Sequence, residues 1–434
     1  MDTQLLILVL TFVVLLLIDV PIAVALAVAA ALSLQSAVGD AASSVVAQRM
    51  TDGVASFSLL AIPSFILAGR LMGEGGMARR LVQFATALMG NSRRSLTYVT
   101  TISCMLFGAI SGSATAAVSG VGGMILPEMK RKGYPVPFSV TLTTVSATTG
   151  LIIPPSNIMI VYAVVAGNVS VAAMFFAGVL PGIVLGLAIA AMSRLITPKL
   201  QLADVDEGEF DGIPLGEATL QALPSLLLIA IVLGGILFGV FSATEAAAVA
   251  VLYAFVLAVL VYREIPTSAL PRICLDSGVT TAVIFFLIAS SQAVSWMLAY
   301  EAIPQMVSEG LLSLTDNKIA LLLLINVLLL IVGTFMDMTP AVLIFAPILL
   351  PIVTSLGIHP VHFGIIMITN LCIGLCTPPV GTCLFVGCGV GKTTIAQLVR
   401  PLIPYLAAMC VALLLITYLP ELSLWLPRLG GLLD

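Results

Sequence analysis

Uninterrupted apolar stretches of about 20 residues recur along the whole chain, and they constrain its fold more than any other feature. A bilayer core is roughly 30 Å thick, which a helix crosses with about that many residues. The stretches are rich in Leu, Ala and Val without strand-like alternation, which favours helices over a β-barrel. Only 9% of the residues are charged, against about 25% in soluble domains. The sequence therefore predicts an all-α polytopic membrane protein embedded in the lipid bilayer.

The first apolar stretch, 5–38, lacks a preceding basic segment and is too long for a signal peptide, so we expect it to remain in the membrane. It forms either one bent span or two short helices around Pro21. No segment outside the apolar stretches is long enough for a separate domain. The net charge of −4 gives no reason to expect nucleic acid as a partner.

A polar segment, 199–218, is predicted to be a cytoplasmic linker between a first half, 1–198, and a second half, 219–434. Sliding the halves past each other by 224 positions, the separation of Gly150 from Gly374, gives a match without gaps. Rare helix-breaking residues coincide in this register, so the chain is predicted to contain a duplicated unit. The coinciding segments include 150–155 (GLIIPP) with 374–379 (GLCTPP), 126–127 with 350–351, and Gly167 with Gly391.

Each repeat predicts a re-entrant hairpin. Segments 96–110 and 116–129 are too short to span alone, and 111–115 (SGSAT) joins them, which gives hairpin 1 at about 94–129. Basic residues at 93–94 and 130–132 place its ends in the cytoplasm. Hairpin 2, about 319–356, has its tip around Asp337, and few basic residues flank it.

Counting spans from hairpin 1 places Arg263 and Arg272 in the cytoplasm and hairpin 2 on the opposite side, so the repeats are predicted to be inverted. An amphipathic arm before each hairpin is expected to lie along the membrane interface. A C-terminal helix completes the second half. The arms are bordered by Arg70, Glu74, Arg79 and Arg80 in the first repeat and comprise 301–314 in the second.

Each hairpin is followed by a helix, about 138–166 and about 361–391, with a glycine and two consecutive prolines in its middle. Proline removes a backbone donor and clashes with the preceding turn, so these helices are predicted to be broken. Freed carbonyls are ligands for a small cation, and a half-helix N-terminus favours an anion. Paired breaks at matching positions predict a binding site near the middle of the membrane.

Asp337 lies in apolar sequence, where a carboxylate costs about 2.5–3.5 kcal/mol unless it is paired or faces a polar cavity. Two roles remain open for it, a cation ligand or a cap for the following helix. Ser111, Ser113 and Thr115 are candidate ligands because they cluster at the tip of hairpin 1. Glu245 is instead predicted to act in a helix cap.

Several other groups carry little functional signal. His359 and His362 are predicted to lie in a loop without partners. The segment 387–393 (GCGVGKT) resembles a phosphate-binding loop, but the motif requires glycine where Val386 stands, so ATP is not expected. Cys372, Cys376, Cys383 and Cys388 are expected to pack between helices, with a metal site as the open alternative. No motif of a hydrolase is present, so no enzyme is expected.

Together these motifs resemble the large membrane subunit of a TRAP transporter (tripartite ATP-independent periplasmic transporter), over about residues 5–419. The resemblance implies an elevator-type, sodium-coupled importer of a small carboxylate in the bacterial inner membrane. Its implied partners are a separate small four-helix TRAP membrane subunit and a periplasmic substrate-binding protein. A stand-alone divalent-anion/sodium symporter is the alternative, although its Ser-Asn-Thr tip motif is absent. The segments that carry the resemblance are 62–69 (IPSFILAG), 108–116 (GAISGSATA), 150–156 (GLIIPPS), 244–248 (TEAAA) and 333–339 (GTFMDMT).

The resemblance also implies two sodium sites. The first site consists of the side chains of Ser111 and Ser113 and the carbonyls of Gly150, Ile153 and Pro155. The repeat register transfers these positions to a second set: Phe335, Asp337, Gly374, Thr377 and Pro379. In the second set Phe335 could offer only its carbonyl. The candidate substrate or gate residues beside the sites are Thr115, Ser156 and Thr339.

Overall fold

The structure is a computed structural model, and it describes residues 3–90, 95–197, 214–314 and 317–433. Within these ranges the chain consists of helices joined by short turns, with no β-strand. Nine helical segments of the described chain are long and apolar enough to cross a membrane. The prediction of an all-α polytopic membrane protein is therefore confirmed. Residues 93–94 and most of the predicted linker 199–218 lie outside the described residues.

The apolar stretch 5–38 forms two short helices, α1 (Thr3–Leu17) and α2 (Ile22–Val38), rather than one bent span. They are separated at Asp19, whose φ of 63° is left-handed and ends the helical path. The Ser33 hydroxyl, near the end of α2, donates to the Gln4 carbonyl at the start of α1 at 2.7 Å. The two helices therefore pack against each other in antiparallel orientation.

The rest of the first half contains hairpin 1, formed by α6 and α7, and a helix broken into α8 and α9. Hairpin 1 turns at Gly112, whose φ of 61° is accessible to glycine without steric cost. The helices of this half are α3 (Ala42–Val54), α4 (Ala61–Glu74), α5 (Met77–Met89), α6 (Leu96–Ser111), α7 (Ala114–Arg131), α8 (Val136–Thr149), α9 (Asn157–Ala166) and α10 (Val171–Ile196).

The second half repeats this order, with hairpin 2 formed by α15 and α16 and a broken helix formed by α17 and α18. α11 begins at Leu215, so the last residues of the predicted linker are helical. The helices are α11 (Leu215–Leu237), α12 (Ala243–Phe255), α13 (Leu270–Tyr300), α14 (Ile303–Leu314), α15 (Lys318–Phe335), α16 (Met338–Ser355), α17 (Pro360–Gly374), α18 (Thr382–Gly391), α19 (Ile395–Tyr418) and α20 (Glu421–Leu429). A π-helical segment, Val256–Val261, extends α12.

The hairpins and broken helices of the two repeats interlock in one hydrophobic core. The first helix of each hairpin packs on the first part of its own broken helix, α6 on α8 and α15 on α17. The second helix of each hairpin packs on this part too, and in addition on the second part of the other repeat's broken helix, α7 on α18 and α16 on α9. This exchange is the arrangement expected of paired repeats. Helices α2, α3, α4, α12 and α13 pack on one another, and α4, α12 and α13 also contribute buried residues to this core.

The arm helix α5 is fixed to the end of α12 by charge. Glu264 pairs with Arg79 and, at 3.2 Å, with Arg80, whose guanidinium also stacks on the Tyr262 ring. Arg70, by contrast, lies within α4 and lines a cavity, as does Glu74. Glu74 ends α4 just before the arm α5 begins at Met77, and the interfacial position of this arm stays a prediction.

Two sequence expectations about helix ends have opposite outcomes. Glu245 forms a reciprocal cap with Ser242, whose backbone amide donates to the Glu245 carboxylate at 2.8 Å, as predicted. The histidines are not in a loop without partners. His359 caps α17 by accepting from the Val361 amide, and His362 is buried inside α17. Pro360 explains the error, because proline at the first helical position starts a helix there.

Candidate functional site

A cavity of about 860 Å³ lies where the tips of both hairpins meet. Its walls come from both tips, from the starts of α9 and α18 beyond the helix breaks, and from α4 and α13. The size is that of a small-molecule site, typically about 300–1,000 Å³. The polar lining residues are Arg70, Glu74, Ser111, Ser113, Thr115, Ser119, Asn157, Thr280, Asp337, Thr339 and Thr382.

The tip of hairpin 1 presents three hydroxyl groups, two of which contact each other. Ser113 is the N-cap of α7, and its Oγ accepts from the Ala116 amide at 3.2 Å. The same Oγ lies 3.1 Å from the Thr115 Oγ1, and the Ser111 hydroxyl donates to the Ser113 carbonyl at 3.4 Å. The capping bond fixes the position of Ser113 while its hydroxyl still faces the cavity.

The tip of hairpin 2 presents Asp337 at the equivalent N-cap position, before α16. Among the described residues, however, the Asp337 carboxylate makes no capping hydrogen bond to α16. The backbone donor beside this carboxylate is the amide of the adjacent residue, Met338. Asp337 and Thr339 both line the cavity. The contrast with Ser113 matters, because the carboxylate oxygens of Asp337 remain available to a cation in the cavity.

The helix breaks lie directly behind the tips. Gly150 packs backbone against backbone on Gly108 of hairpin 1, and Gly374 does the same on Gly333 of hairpin 2. Both Pro154–Pro155 and Pro378–Pro379 are cis peptides. Thr377 donates its hydroxyl to the Ile373 carbonyl at 2.8 Å. The glycine contacts hold each break against its own hairpin. The backbone carbonyls of the breaks remain candidate cation ligands.

The structure thus brings together Ser111, Ser113, Thr115, Asp337 and Thr339 at the cavity. The other predicted residues do not line it in the described chain. Phe335 has a side chain that is 61% exposed and points away from the core. The remaining residues occupy the breaks behind the tips: Gly150, Ile153, Pro155, Ser156, Gly374, Thr377 and Pro379. Their roles as sodium ligands or gate residues stay predictions.

Three polar side-chain atoms near the breaks are buried and lack a hydrogen-bond partner among the described residues. They are the Ser156 Oγ, the Asn157 Oδ1 and the Thr382 Oγ1. Asn157 and Thr382 line the cavity, and the Asn157 amide faces the turn at Gly112. Buried polar atoms normally have partners, so these atoms are suited to a ligand. The sequence analysis missed Asn157 and Thr382, although both directly follow the breaks.

Two scaffold helices, α4 and α13, complete the cavity with a charged group that the sequence analysis also missed. The Arg70 Nη2 donates to the Thr280 Oγ1 at 3.1 Å, and its Nη1 lies 3.6 Å from the Asp276 carboxylate. A lone arginine inside the apolar sequence of α4 was the available signal. The described residues contain no group of three His, Cys, Asp or Glu side chains that could hold a metal ion. Within the cysteine group, the Cys376 thiol lies 3.6 Å from the Thr144 carbonyl.

Two re-entrant-type hairpins and two broken helices around one cavity define a multi-pass membrane transporter. The solved structure of the YdaH transporter of Alcanivorax borkumensis has the same fold, with a TM-score of 0.66 and 15% identity over 86% of each chain. Residues 9–422 match the family model of the DctM component of tripartite ATP-independent periplasmic transporters. The chain belongs to this family, which confirms the resemblance. It is a transporter subunit and not an enzyme.

Curated relatives agree with this assignment. The chain is 49% identical over 393 residues to the uncharacterized protein YgiK of Salmonella typhimurium, covering 90% of this chain and 89% of that one. It is 38% identical to the C4-dicarboxylate TRAP transporter large permease protein DctM of Rhodobacter capsulatus, covering 89% and 90%. It is also 38% identical to the isethionate TRAP transporter permease protein DctMQ of Oleidesulfovibrio alaskensis, covering 90% of this chain and 61% of that one.

Proposed function

We propose that this chain imports a small organic acid together with sodium, by an elevator movement, in the bacterial inner membrane. The observation that carries the proposal is the single cavity at which both hairpin tips meet, with hydroxyls from one tip and the uncapped Asp337 from the other. Hydroxyl, carbonyl and carboxylate oxygens are the ligands that hard cations prefer. Each tip also lies against a helix break whose carbonyls add oxygen ligands.

The substrate class follows from the relatives, whose names state C4-dicarboxylate and isethionate. Both substrates are small organic anions. Bound sodium would offset the negative charge of Asp337 and make the cavity favourable for such an anion. The half-helix N-termini of α9 and α18 start at the cavity and favour an anion there by their dipoles.

The proposed partners are a small four-helix membrane subunit and a periplasmic binding protein that delivers the substrate. Support for the small membrane subunit comes from the DctMQ relative, because this chain matches only 61% of the length of that permease. In the proposed elevator movement, the interlocked hairpins and broken helices move as one body. They move against α2, α3, α4, α12 and α13, which pack on one another beside that body.

Reconstitution in liposomes tests the proposal. The chain is assembled with the proposed small membrane subunit and binding protein, and uptake of radiolabelled succinate, isethionate and gluconate is measured. An inward sodium gradient should drive uptake of one of these anions, and ATP should have no effect. Full uptake driven by a proton gradient in sodium-free buffer would show that the assigned ion is wrong. Robust uptake by the chain alone would favour a stand-alone symporter.

A further inference from the structure

The charges that line the central cavity are unevenly distributed. Among the described lining residues, Glu74 and Asp337 are acidic and Arg70 alone is basic. An organic anion in such a cavity lies near two carboxylates. The proposed sodium ions and Arg70 are the groups that can offset its charge, and a charge buried without a partner is costly.

Two partners orient the Arg70 guanidinium, but they do not occupy all of its N–H donors. Its Nη2 donates to the Thr280 Oγ1 at 3.1 Å, and its Nη1 lies 3.6 Å from the Asp276 Oδ2. A guanidinium carries five N–H donors in a planar fork, so donors remain for a ligand in the cavity. Asp276 is also shared with Arg272 at 4.0 Å, and it therefore neutralises Arg70 only in part.

Arg70 is also next to the tip of hairpin 1. The preceding residue, Gly69, touches that tip so closely that an added Cβ would lie 2.6 Å from the Ser111 carbonyl oxygen. The Arg70 side chain, which is 38% exposed, lines the same cavity as the hydroxyls of the tip, so one ligand can contact both. Arg70 and Ser111 both line this cavity.

The partners of Arg70 place it in the cytoplasmic half of the protein. α13 begins at Leu270, so Asp276 and Thr280 lie about 9 and about 15 Å along this helix, at 1.5 Å per residue. The basic residues Arg263 and Arg272 mark this end of α13 as cytoplasmic by the positive-inside rule.

We infer that Arg70 binds the anionic group of the transported organic acid in the part of the cavity that faces the cytoplasm. The inference rests on the proposed function and assigns the substrate contact within it. Asp276 competes with the substrate for the same guanidinium, which keeps this contact exchangeable. The substrate carboxylate or sulfonate exchanges with Asp276 when it arrives and when it leaves.

The test compares Arg70→Gln with Arg272→Gln in the complete liposome system, with the panel anion that wild type transports fastest. Both changes remove one positive charge beside Asp276, but the Arg272 side chain is 87% exposed and does not line the cavity. Arg70→Gln should raise the half-saturating anion concentration about tenfold to a hundredfold, the loss expected for hydrogen bonds to a charged group. At saturating anion, half-saturating sodium should stay within about twofold of wild type. Arg272→Gln should change both values by only about twofold, because its 4.0 Å pair with Asp276 is exposed and weak.

Two further variants keep the test decisive if Arg70→Gln fails to fold. Arg70→Lys keeps the charge but not the planar fork. Thr280→Val removes the bond that orients Arg70, together with the bond from the Thr280 hydroxyl to the Asp276 carbonyl within α13. Each should raise the half-saturating anion concentration, by less than Arg70→Gln. Wild-type anion affinity in the folded variants, or an equal effect of Arg272→Gln, would overturn the inference while sodium-driven uptake stands. Absence of sodium-driven uptake by wild type would instead refute the proposed function.

Discussion

Hairpin 1 contacts the broken helix closely where Gly108 meets Gly150. This contact leads to a quantitative prediction. In Gly150→Ala the new Cβ would meet the Gly108 Cα, and it would lie 2.7 Å from the Gly108 carbonyl carbon and 3.0 Å from the Ala109 nitrogen. Non-bonded carbons prefer about 3.5–4.0 Å. All three atoms belong to backbone, so no side chain can rotate away to relieve the overlap.

Hairpin 1 must therefore move away from α8 by about 1 Å, and overpacking of this kind costs about 1–3 kcal/mol. The matched control is Gly123→Ala in α7, where an added Cβ has no heavy atom within 4 Å. That change should stabilise by about 0.5–1 kcal/mol, because alanine is the better helix former. Gly374→Ala provides the repeat-related test, since its Cβ would lie 2.6 Å from the Gly333 carbonyl oxygen.

Unfolding free energies of the purified variants in detergent, measured by titration with a denaturant, check these values. Gly150→Ala and Gly374→Ala should both be less stable than wild type, and Gly123→Ala should not. The same variants should need more sodium for half-maximal uptake, because the carbonyl at the break shifts relative to the hairpin tip. If Gly150→Ala is as stable as Gly123→Ala and has a normal sodium curve, the close crossing does not constrain the fold.

Three further changes test contacts outside the cavity, all by unfolding in detergent. Asn370→Leu removes a buried 2.7 Å bond to the Asn326 Oδ1 and should cost about 1–3 kcal/mol; a neutral effect would show that the pair is not buried. His362→Phe removes a 2.6 Å bond to Ser423 and should cost a similar amount, about 1–3 kcal/mol, whereas unchanged stability would mean that water replaces the bond. Glu264→Gln weakens the pairing with Arg79 and Arg80 and should cost at most about 1 kcal/mol, since the cluster is partly exposed; a larger loss would mark it as a main support of the arm.

The hairpins and breaks could be predicted from sequence because glycine and proline act locally. Tandem prolines interrupt a helix wherever they fall, and Gly112 permits a turn that other residues resist. The candidate residues at both tips follow directly from this anatomy. The break in the first apolar stretch was left open, because Pro21 is equally compatible with a kink and with a turn.

The side of the cavity formed by α4 and α13 could not be predicted from such local signals. Arg70 meets Thr280 across 210 positions of sequence, and only the packing of α4 on α13 brings them together. The histidines near 360 were misjudged for a local reason. Pro360 occupies the first position of α17, where proline is common, and His359 before it caps the helix.

Sodium dependence of Asp337→Asn is the most direct test of the account, because it separates a cation ligand from a helix cap. Asparagine keeps the shape and can still accept hydrogen bonds from backbone amides, so a cap would largely survive. A cation site instead loses a full charge, which should raise half-saturating sodium about tenfold or more. Ser113→Ala, at the equivalent position of hairpin 1, removes a neutral ligand and should have a smaller effect. Uptake is measured against sodium concentration for wild type and both variants, with thermal stability recorded alongside. The account predicts a folded Asp337→Asn variant with a strongly shifted sodium curve, and a normal sodium curve would contradict it.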